Sequence, residues 1–231
     1  GGVGPSAWAL AVPKLRRGAE GYAGGTGRAH KTVIDSARQD FVHIRRWVPD
    51  RQIIVVGHSS YAEVELLGRM TQLANPIPMV VRFRMDAVLY EPAAPRLPDQ
   101  KGRPRKKGKR LPTLAQVAAD PKTHWERRVV RYWYGEAQRV IEISSGTAVW
   151  FHGGMPPVSI CWVIVRDPQH TFKTQALLCT DLSVSAKQIV EWFVQRWQLE
   201  VPHRDVRGKL GVDTKPRGSE QGGLEKERGG R

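Results

Sequence analysis

The stretch IIVVGHSSYAEVELL, residues 53–67, decides the fold, because an apolar run changes there into polar residues and then into an amphipathic pattern. The run at 53–56 predicts a short strand buried on both faces, and AEVELLGRM after it predicts a helix. PMVVRF, residues 78–83, predicts a second buried strand. A strand, a helix and a strand at this spacing predict a parallel βαβ unit.

Polar residues follow the first of these strands directly: Gly57, His58 and Ser59. They are predicted at the carboxyl edge of the parallel sheet, where α/β proteins form their active sites. His58 is therefore a candidate base or metal ligand. The local alternative is a loop or capping histidine, with Ser59 or Ser60 as an N-cap. Since the sequence fixes no partner for the imidazole, the local pattern favours the capping role.

The rest of the chain surrounds this unit with a helix before it and strands after it. Apolar residues recur every three or four positions from 31 to 48, which predicts a helix that ends at Pro49. Five later segments predict an antiparallel meander: WERRVVRYWY, AQRVIEIS, TAVWFH, VSICWVIVR and TQALLCT, separated by GE, SSG, GGMPP and DPQH turns. Ser185 and Gln188 form a capping-box pattern that opens a last helix.

Composition favours a polyanionic partner. The chain of 231 residues has 37 Lys and Arg against 22 Asp and Glu, a net charge of +15. Nucleic acid is the first expectation and an anionic membrane surface the second. No apolar run approaches the ~20 residues of a membrane span. Cys161 and Cys179 lie in strand-like runs and are expected as small core residues in a reducing, cytoplasmic setting.

The run KGRPRKKGKR, residues 101–110, is the strongest local signal for nucleic acid. Clustered cations without an acid release counterions when they bind DNA or RNA. The alternative is a solvated loop, and the charge of the whole chain favours nucleic-acid contact. The predicted DNA-binding residues are Lys101, Arg103, Arg105, Lys106, Lys107, Lys109 and Arg110.

The last predicted helix carries one acid among cations. At helical spacing Phe193, Arg196, Glu200, Arg204 and Arg207 share one face. Glu200 and Arg196 then form either an ordinary i,i+4 ion pair or a metal-binding carboxylate beside a phosphate-binding arginine.

Two aspartates are predicted as turn formers or caps, and a third as a favourable charge near the start of a helix. Asp167 and Asp181 each close a strand-like run, and Asp35 stands near the start of a helix. A Ser-His-Asp hydrolase is not supported, because no G-x-S-x-G elbow occurs.

The spacing Phe193-x-x-Arg196-x-x-x-Glu200, with Arg207 after six more residues, resembles the Y/F-(2)-R-(3)-E-(6)-K/R signature of DDE-type insertion-sequence transposases of the cut-and-paste branch. The resemblance covers about residues 28 to 214. It extends to RRWVPDRQIIVV (45–56), SSYAEVELL (59–67), RFRMDAVLYEPAAPR (82–96), KGRPRKKGKRLPTLAQV (101–117), TAVWFHGGMPPV (147–158) and ALLCTDL (176–182).

The resemblance implies a ribonuclease-H-like α/β core, with a β-rich antiparallel insertion between the second acidic position and the glutamate helix. Members of this family hold two Mg²⁺ ions with two aspartates and a glutamate, and they nick and transfer DNA strands. Glu200 matches the glutamate and metal ligand, and Arg196 and Arg207 match the basic positions. Transposon ends and target DNA are the implied partners, with a homodimer and nucleoid association in the intact family.

Departures from the family pattern predict a truncated or decayed member. His58 occupies the second acidic position, and a neutral imidazole is a poor Mg²⁺ ligand. No motif matches the first aspartate, which is expected upstream of Gly1. Pro202 interrupts the helix after Glu200. A strand-nicking fold without full activity is therefore expected. The alternatives are a non-enzymatic nucleic-acid-binding protein, an enzyme that uses His58 with Asp167 or Asp181, and a translation product that does not fold stably.

The predicted organisation has five parts. These are a poorly ordered start at 1–30, the first part of the core at 31–91, the basic loop with the β-rich insertion at 92–180, the glutamate helix at 181–211, and a disordered tail at 212–231.

Overall fold

The computed structural model describes residues 8–11, 32–96 and 101–196, of which 8–11 are described by backbone alone. Its strands are β1 (Trp8–Ala11), β2 (Ile53–Gly57), β3 (Met79–Phe83), β4 (Leu89–Tyr90), β5 (Glu126–Trp133), β6 (Glu136–Trp150), β7 (Val158–Arg166) and β8 (Gln175–Cys179). Its helices are α1 (Val33–Trp47), α2 (Val64–Thr71), α3 (Leu114–Ala119) and α4, described over residues 186–196.

The predicted βαβ unit is present. All five residues of β2 are buried, and β2 pairs with β3 in parallel, with Val55 opposite Met79 and Gly57 opposite Val81. The helix before it begins at a capping box, in which Asp35 and Thr32 each bond the other's backbone N–H. The predicted helix that ends before Pro49 is therefore confirmed, and Asp35 lies in its first turn, as predicted.

The strands form one mixed sheet in the order β1-β2-β3-β8-β7-β6-β4, and β5 pairs with β6. The pairs from β1 to β3 are parallel, and all pairs from β3 onward are antiparallel. This is a ribonuclease-H-like α/β arrangement that a β-rich insertion extends, as predicted. The strand β1 lies within residues 1–30, for which the sequence pattern predicted little order.

The predicted meander has four strands where five were expected. Residues SSG at 144–146 do not turn the chain, because they lie inside the 15-residue strand β6. Gly146 lies opposite Trp162, and a Cβ there would come within 2.6 Å of the Trp162 indole. The glycine is needed for this close approach and does not mark a turn. A tight turn does follow β5, where Tyr134 and Gly135 both have positive φ.

The short helix α3 was missed by the sequence reasoning. It begins at a capping box between Thr113 and Gln116, directly after the basic loop and before the predicted strands. The T-x-x-Q pattern is the signal that was available. A helix of six residues carries too little apolar periodicity to stand out.

Alternating side chains of the sheet contribute to two cores on its two faces. On one face Val55 and Val81 join the core that contains Phe41 of α1 and Leu67 of α2. On the other face the core is completed by α4, whose buried residues are Ile189, Val190, Phe193 and Val194. The face that α4 covers is called the α4 face below. No helix in the described part of the chain is long and apolar enough to cross a membrane.

Candidate functional site

His58 directly follows β2 and starts a single 3-10 turn, Ser59–Tyr61. Its Nδ1 lies 3.1 Å from Ser59 Oγ, and its backbone carbonyl accepts a hydrogen bond from Tyr61 N–H. The turn is tight, because a Cβ at Gly57 would lie 3.1 Å from the Tyr61 ring. His58 is thus an N-cap residue by position, and its side chain makes no capping bond to the backbone.

The register of β2 and β3 determines what stands beside His58. Gly57 pairs with Val81, so His58 and Arg82 are the next two residues along these parallel strands. Ile54, Val56 and Val80 contribute to the core on the α4 face. His58 keeps an extended backbone, and Arg82 continues β3. The two-residue period therefore places both on the α4 face, at the carboxyl ends of their strands. These ends are called the β2–β3 edge below.

The described part of α4 runs toward this edge. Ser185 caps its start, and its hydroxyl accepts from Gln188 N–H at 3.3 Å, which confirms the predicted cap. Near its described end, Arg196 stacks on Phe193 with 5.4 Å between the guanidinium carbon and the ring centre. Burial raises the pKa of Tyr61, and the positive charge of Arg196 opposes that rise. Arg196 is therefore close enough to act on the turn that follows His58. Glu200 and Arg207 lie outside the described residues.

A cavity of about 340 Å³ lies beside this edge. It is called the aromatic cavity, and its lining includes Arg82, Trp133, Tyr134, Arg139, Phe172 and Lys173. The residues come from β3, from β5 and β6 and the turn between them, and from the loop before β8. The sequence reasoning missed this site. The available signal was a charged residue, Arg82, inside an otherwise buried strand.

A buried ion pair holds one wall of the cavity. Arg139 Nη2 donates to Asp167 Oδ2 at 2.9 Å, and Arg139 Nη1 donates to Glu136 at 2.7 Å. Asp167 also accepts from the backbone N–H of Gln169 and Thr171. The hydrogen bond from the Thr171 hydroxyl is the largest cause that holds the pKa of Asp167 far below its usual range.

The predicted turn-forming role of Asp167 and Asp181 is confirmed by these contacts. Asp181 accepts from both the backbone and the hydroxyl of Ser183. Cys179 pairs with Val80, so Asp181 lies beyond the amino end of β3, whereas His58 follows the carboxyl end of β2. The alternative in which Asp181 orients His58 is therefore wrong. For Asp167 the hydrogen bonds go to Arg139, Gln169 and Thr171, which leaves it no orienting role toward His58.

The basic loop at 101–110 is hydrogen-bonded to the chain that follows β4, beside the carboxyl-terminal end of β6. Gly108 N–H donates to Glu91, and Glu91 N–H donates to Lys109, so the loop pairs with the chain after β4. The strand β4 pairs with Val149 and Trp150, at the opposite end of β6 from the turn at 134–135. The loop and the aromatic cavity are therefore two separate cationic surfaces.

Six of the seven predicted DNA-binding side chains in this loop are exposed. Lys107 is the exception. Its ammonium lies 3.6 Å from the centre of the Tyr90 ring and 4.8 Å from that of Phe151. A groove of about 640 Å³ runs along the loop, lined by Arg103, Arg105 and Lys106 among others. Lys107 fixes the loop to the sheet, and the exposed cations present the charge.

The fold is that of a transposase-like nuclease with a ribonuclease-H-like core, a class whose substrate is DNA. Residues 3–139 match the family described as DDE superfamily endonuclease, and the chain belongs to that family. The match ends within β6, so α4 lies beyond the matched segment. No curated protein matches the chain.

Nucleases of this superfamily generally use divalent metals. Among the described residues, no group of three or more His, Cys, Asp or Glu side chains is arranged to hold a metal ion. The edge presents His58, and an imidazole suits Mg²⁺ poorly because this hard cation prefers oxygen ligands. The neighbouring earlier strand β1 has the sequence WALA and supplies no carboxylate. The residues of the described edge therefore do not fit a magnesium site.

Proposed function

We propose that this chain is a DDE-type transposase derivative that binds DNA and has lost efficient metal-dependent strand cleavage. The observation that carries the proposal is His58 at the β2–β3 edge, beside Arg82 and on the face that α4 covers. The described residues of the edge include cations suited to DNA phosphates and lack the oxygen ligands that cleavage in this family needs.

The chain's own residues provide binding and orientation in this proposal. Exposed cations of the basic loop attract the DNA backbone without regard to sequence. Arg196 on α4 is proposed to hold a phosphate near the edge, together with Arg207. Glu200 is proposed to keep the role of the family glutamate, as a residual metal ligand. Mg²⁺ would neutralise charge on the reacting phosphate when bound, which is the chemistry that His58 does not support.

Two measurements on the purified chain test this proposal. Binding to duplex DNA, measured by fluorescence anisotropy over a range of salt concentrations, should be tight at low salt and fall steeply as salt rises. Nicking of a supercoiled plasmid, measured with Mg²⁺ or Mn²⁺, should not exceed that of Glu200→Gln. Metal-dependent nicking that Glu200→Gln abolishes would overturn the loss of cleavage. Failure to bind DNA would overturn the whole proposal.

The substitution His58→Asp separates the contributions of the acidic positions. Since β1 brings no carboxylate to β2, this single change is expected to leave nicking at the level of the unmodified chain. It should instead make DNA binding respond more strongly to Mg²⁺, because an oxygen ligand has been added. Efficient nicking by His58→Asp alone would show that the remaining ligands are present.

A non-enzymatic nucleic-acid-binding protein, in which Glu200 has only a structural role, is the second candidate. The separation between the basic loop and the β2–β3 edge favours it, because the loop needs nothing from the edge. DNA binding that is unchanged by Mg²⁺ and by Glu200→Gln would support this candidate over the first.

A further inference from the structure

We propose that the basic loop reads the minor groove of A·T-rich duplex DNA, with Arg103 and Arg105 inserted into that groove. One sugar-phosphate strand of the duplex would lie in the protein groove of about 640 Å³ along the loop, which is called the loop groove below. The proposal rests on the proposed function, in which DNA is the ligand of this loop. It adds a preference for base composition to the sequence-independent attraction that clustered cations exert.

The second half of the loop is anchored, and the first half projects from this anchor. The Lys107 ammonium lies 3.6 Å from the centre of the Tyr90 ring. A Cβ at Gly108 would lie 2.6 Å from the Pro92 carbonyl oxygen, so the loop packs here at a distance that only glycine allows. Residues 101–106, in contrast, are all exposed. They form the tip of the loop.

The tip carries cations that no acid in the described part of the chain neutralises. Among the described residues, Lys101, Arg103, Arg105 and Lys106 form no ion pair. The ten-residue loop itself contains no Asp or Glu. Its two guanidinium groups at the tip are therefore available to a polyanion.

The tip is a single extended segment, and this shape suits the minor groove. Pro104 fixes its own φ and keeps Arg103 out of the helical region. Gly102 bends the chain with a φ of 98°, and no atom lies within 4 Å of the place that a Cβ would occupy. The minor groove, about 6 Å wide, admits such a segment, whereas the major groove, about 12 Å wide, takes a helix or a two-stranded ribbon.

Arginine at the two tip positions indicates a preference for A·T pairs. Runs of A·T pairs have a narrow minor groove with an enhanced negative potential, and a guanidinium enters it readily because it is more weakly hydrated than an ammonium. The floor of that groove presents only acceptors at A·T pairs, while a G·C pair adds an amino donor that arginine cannot bond. Arg103 and Arg105 span at most about 7 Å, or about two base-pair steps.

The far wall of the loop groove leaves room for a DNA strand. Phe151 and Gly154 complete its lining, and Phe151 also lies 4.8 Å from the Lys107 ammonium. Gly153 and Gly154 have no atom within 4 Å of the place that a Cβ would occupy. A wall of bare backbone lets a sugar-phosphate strand approach closely. Lys106, which also lines the loop groove, provides positive charge for its phosphates.

The experiment compares four duplexes that differ only in one central run of base pairs: A·T, inosine·C, G·C and 2,6-diaminopurine·T. Inosine·C combines the minor-groove pattern of A·T with the major-groove pattern of G·C, and diaminopurine·T combines the reverse. The full chain is titrated with each duplex by fluorescence anisotropy, without divalent metal. We expect the A·T and inosine·C duplexes to bind equally, and about tenfold more tightly than the other two.

Variants at the tip assign the preference to the two arginines. Arg103→Lys and Arg105→Lys keep the charge, and together they should remove most of the preference while affinity for the G·C duplex changes little. Lys106→Ala is the matched control in the same loop and should weaken binding to all four duplexes by the same factor. Arg69→Ala on α2 removes an exposed charge outside the loop and should change none of the four. Urea unfolding of each variant checks that it remains folded.

Equal affinity for all four duplexes would show that the loop contacts phosphates alone, and the inference would be wrong. Tightest binding of G·C, or tighter binding of A·T and diaminopurine·T than of inosine·C, would place the loop in the major groove and exclude the inference as well. So would a preference that survives both arginine substitutions in folded protein.

The salt dependence of duplex binding and the nicking of plasmid are measured separately from base preference. The proposed function therefore stands if only the preference is absent, and it falls together with the inference if no duplex binds.

Discussion

Arg139 and Asp167 form a largely buried ion pair that ties the loop between β7 and β8 to the β5–β6 hairpin, near the start of β6. The Asp167 side chain is 1% exposed and that of Arg139 is 16% exposed. Asp167 therefore has to be satisfied by protein groups, and Arg139, Gln169 and Thr171 provide them. The same contacts hold the wall of the aromatic cavity.

Loss of this ion pair is expected to destabilise the fold. Arg139→Ala leaves the Asp167 carboxylate short of a partner and should lower the free energy of unfolding by more than the loss of an exposed ion pair does. Urea denaturation followed by tryptophan fluorescence measures the change. The control is Arg128→Ala, whose pair with Glu126 is 46% exposed on both sides and should be worth less than about 1 kcal/mol. Equal effects of the two substitutions would contradict the importance of burial.

Stability is expected to fall in acid, partly through Asp167. Its folded-state pKa is lowered, chiefly by the Thr171 hydroxyl, so the ionised form stabilises the fold. That contribution is intact above the unfolded-state pKa of about 3.9 and is lost as pH falls from there toward the folded-state pKa. Glu142, whose pKa is lowered chiefly by Arg166, acts in the same direction. Urea unfolding between pH 7 and pH 3 should show a shallower decline for Asp167→Asn than for the unmodified chain.

Gly146 is expected to tolerate no side chain. A Cβ there would lie 2.6 Å from the Trp162 ring, so Gly146→Ala should destabilise the fold by about 1–3 kcal/mol through overpacking. Gly153, in the loop between β6 and β7, has no atom within 4 Å of the place that a Cβ would occupy, and Gly153→Ala is the matched control. The midpoint of thermal unfolding measures both. A neutral Gly146→Ala would mean that the indole moves aside freely.

The two cysteines are expected to resist thiol reagents in the folded chain. Cys161 and Cys179 are cross-strand partners, both free and buried. Burial raises the pKa of Cys161, and it raises the pKa of Cys179 to about 12. The thiolate is the reactive form, so reaction with Ellman's reagent at pH 8 should be slow until urea unfolds the chain. Rapid reaction of either thiol under native conditions would contradict the buried positions.

Neighbouring lysines in the basic loop are expected to differ in role. Lys106→Ala removes an exposed charge and should lower the slope of log affinity against log salt for duplex DNA by about 0.9, with stability unchanged. Lys107→Ala removes the ammonium that lies over Tyr90 and should cost about 1 kcal/mol in stability. Anisotropy titrations and urea denaturation of both variants test this. Identical behaviour of the two lysines would show that the loop is not fastened through Lys107.

The sequence by itself determined the βαβ unit, the end of α1, the cap of α4 and the excess of positive charge. Each of these depends on local chemistry. Ile53 to Val56 are apolar enough to be buried on both faces of the sheet. Thr32 and Asp35 accept hydrogen bonds from backbone N–H groups at the start of α1. The net charge of +15 follows from composition alone. The fold that the family resemblance implied was also confirmed. The roles of Glu200 and Arg207 stay predictions, since these residues lie outside the described part of the chain.

Only the tertiary structure decided which residues stand together. From the sequence, Gly146 looked like a turn residue. The structure shows that glycine is needed there because an indole from a neighbouring strand occupies the space that a side chain would fill. Arg82 became the neighbour of His58 through strand register, and Trp133, Phe172 and Arg139 formed one wall through contacts between segments far apart in the chain. Strand pairing joins residues that are distant in sequence, and no local pattern encodes the register of such a pair.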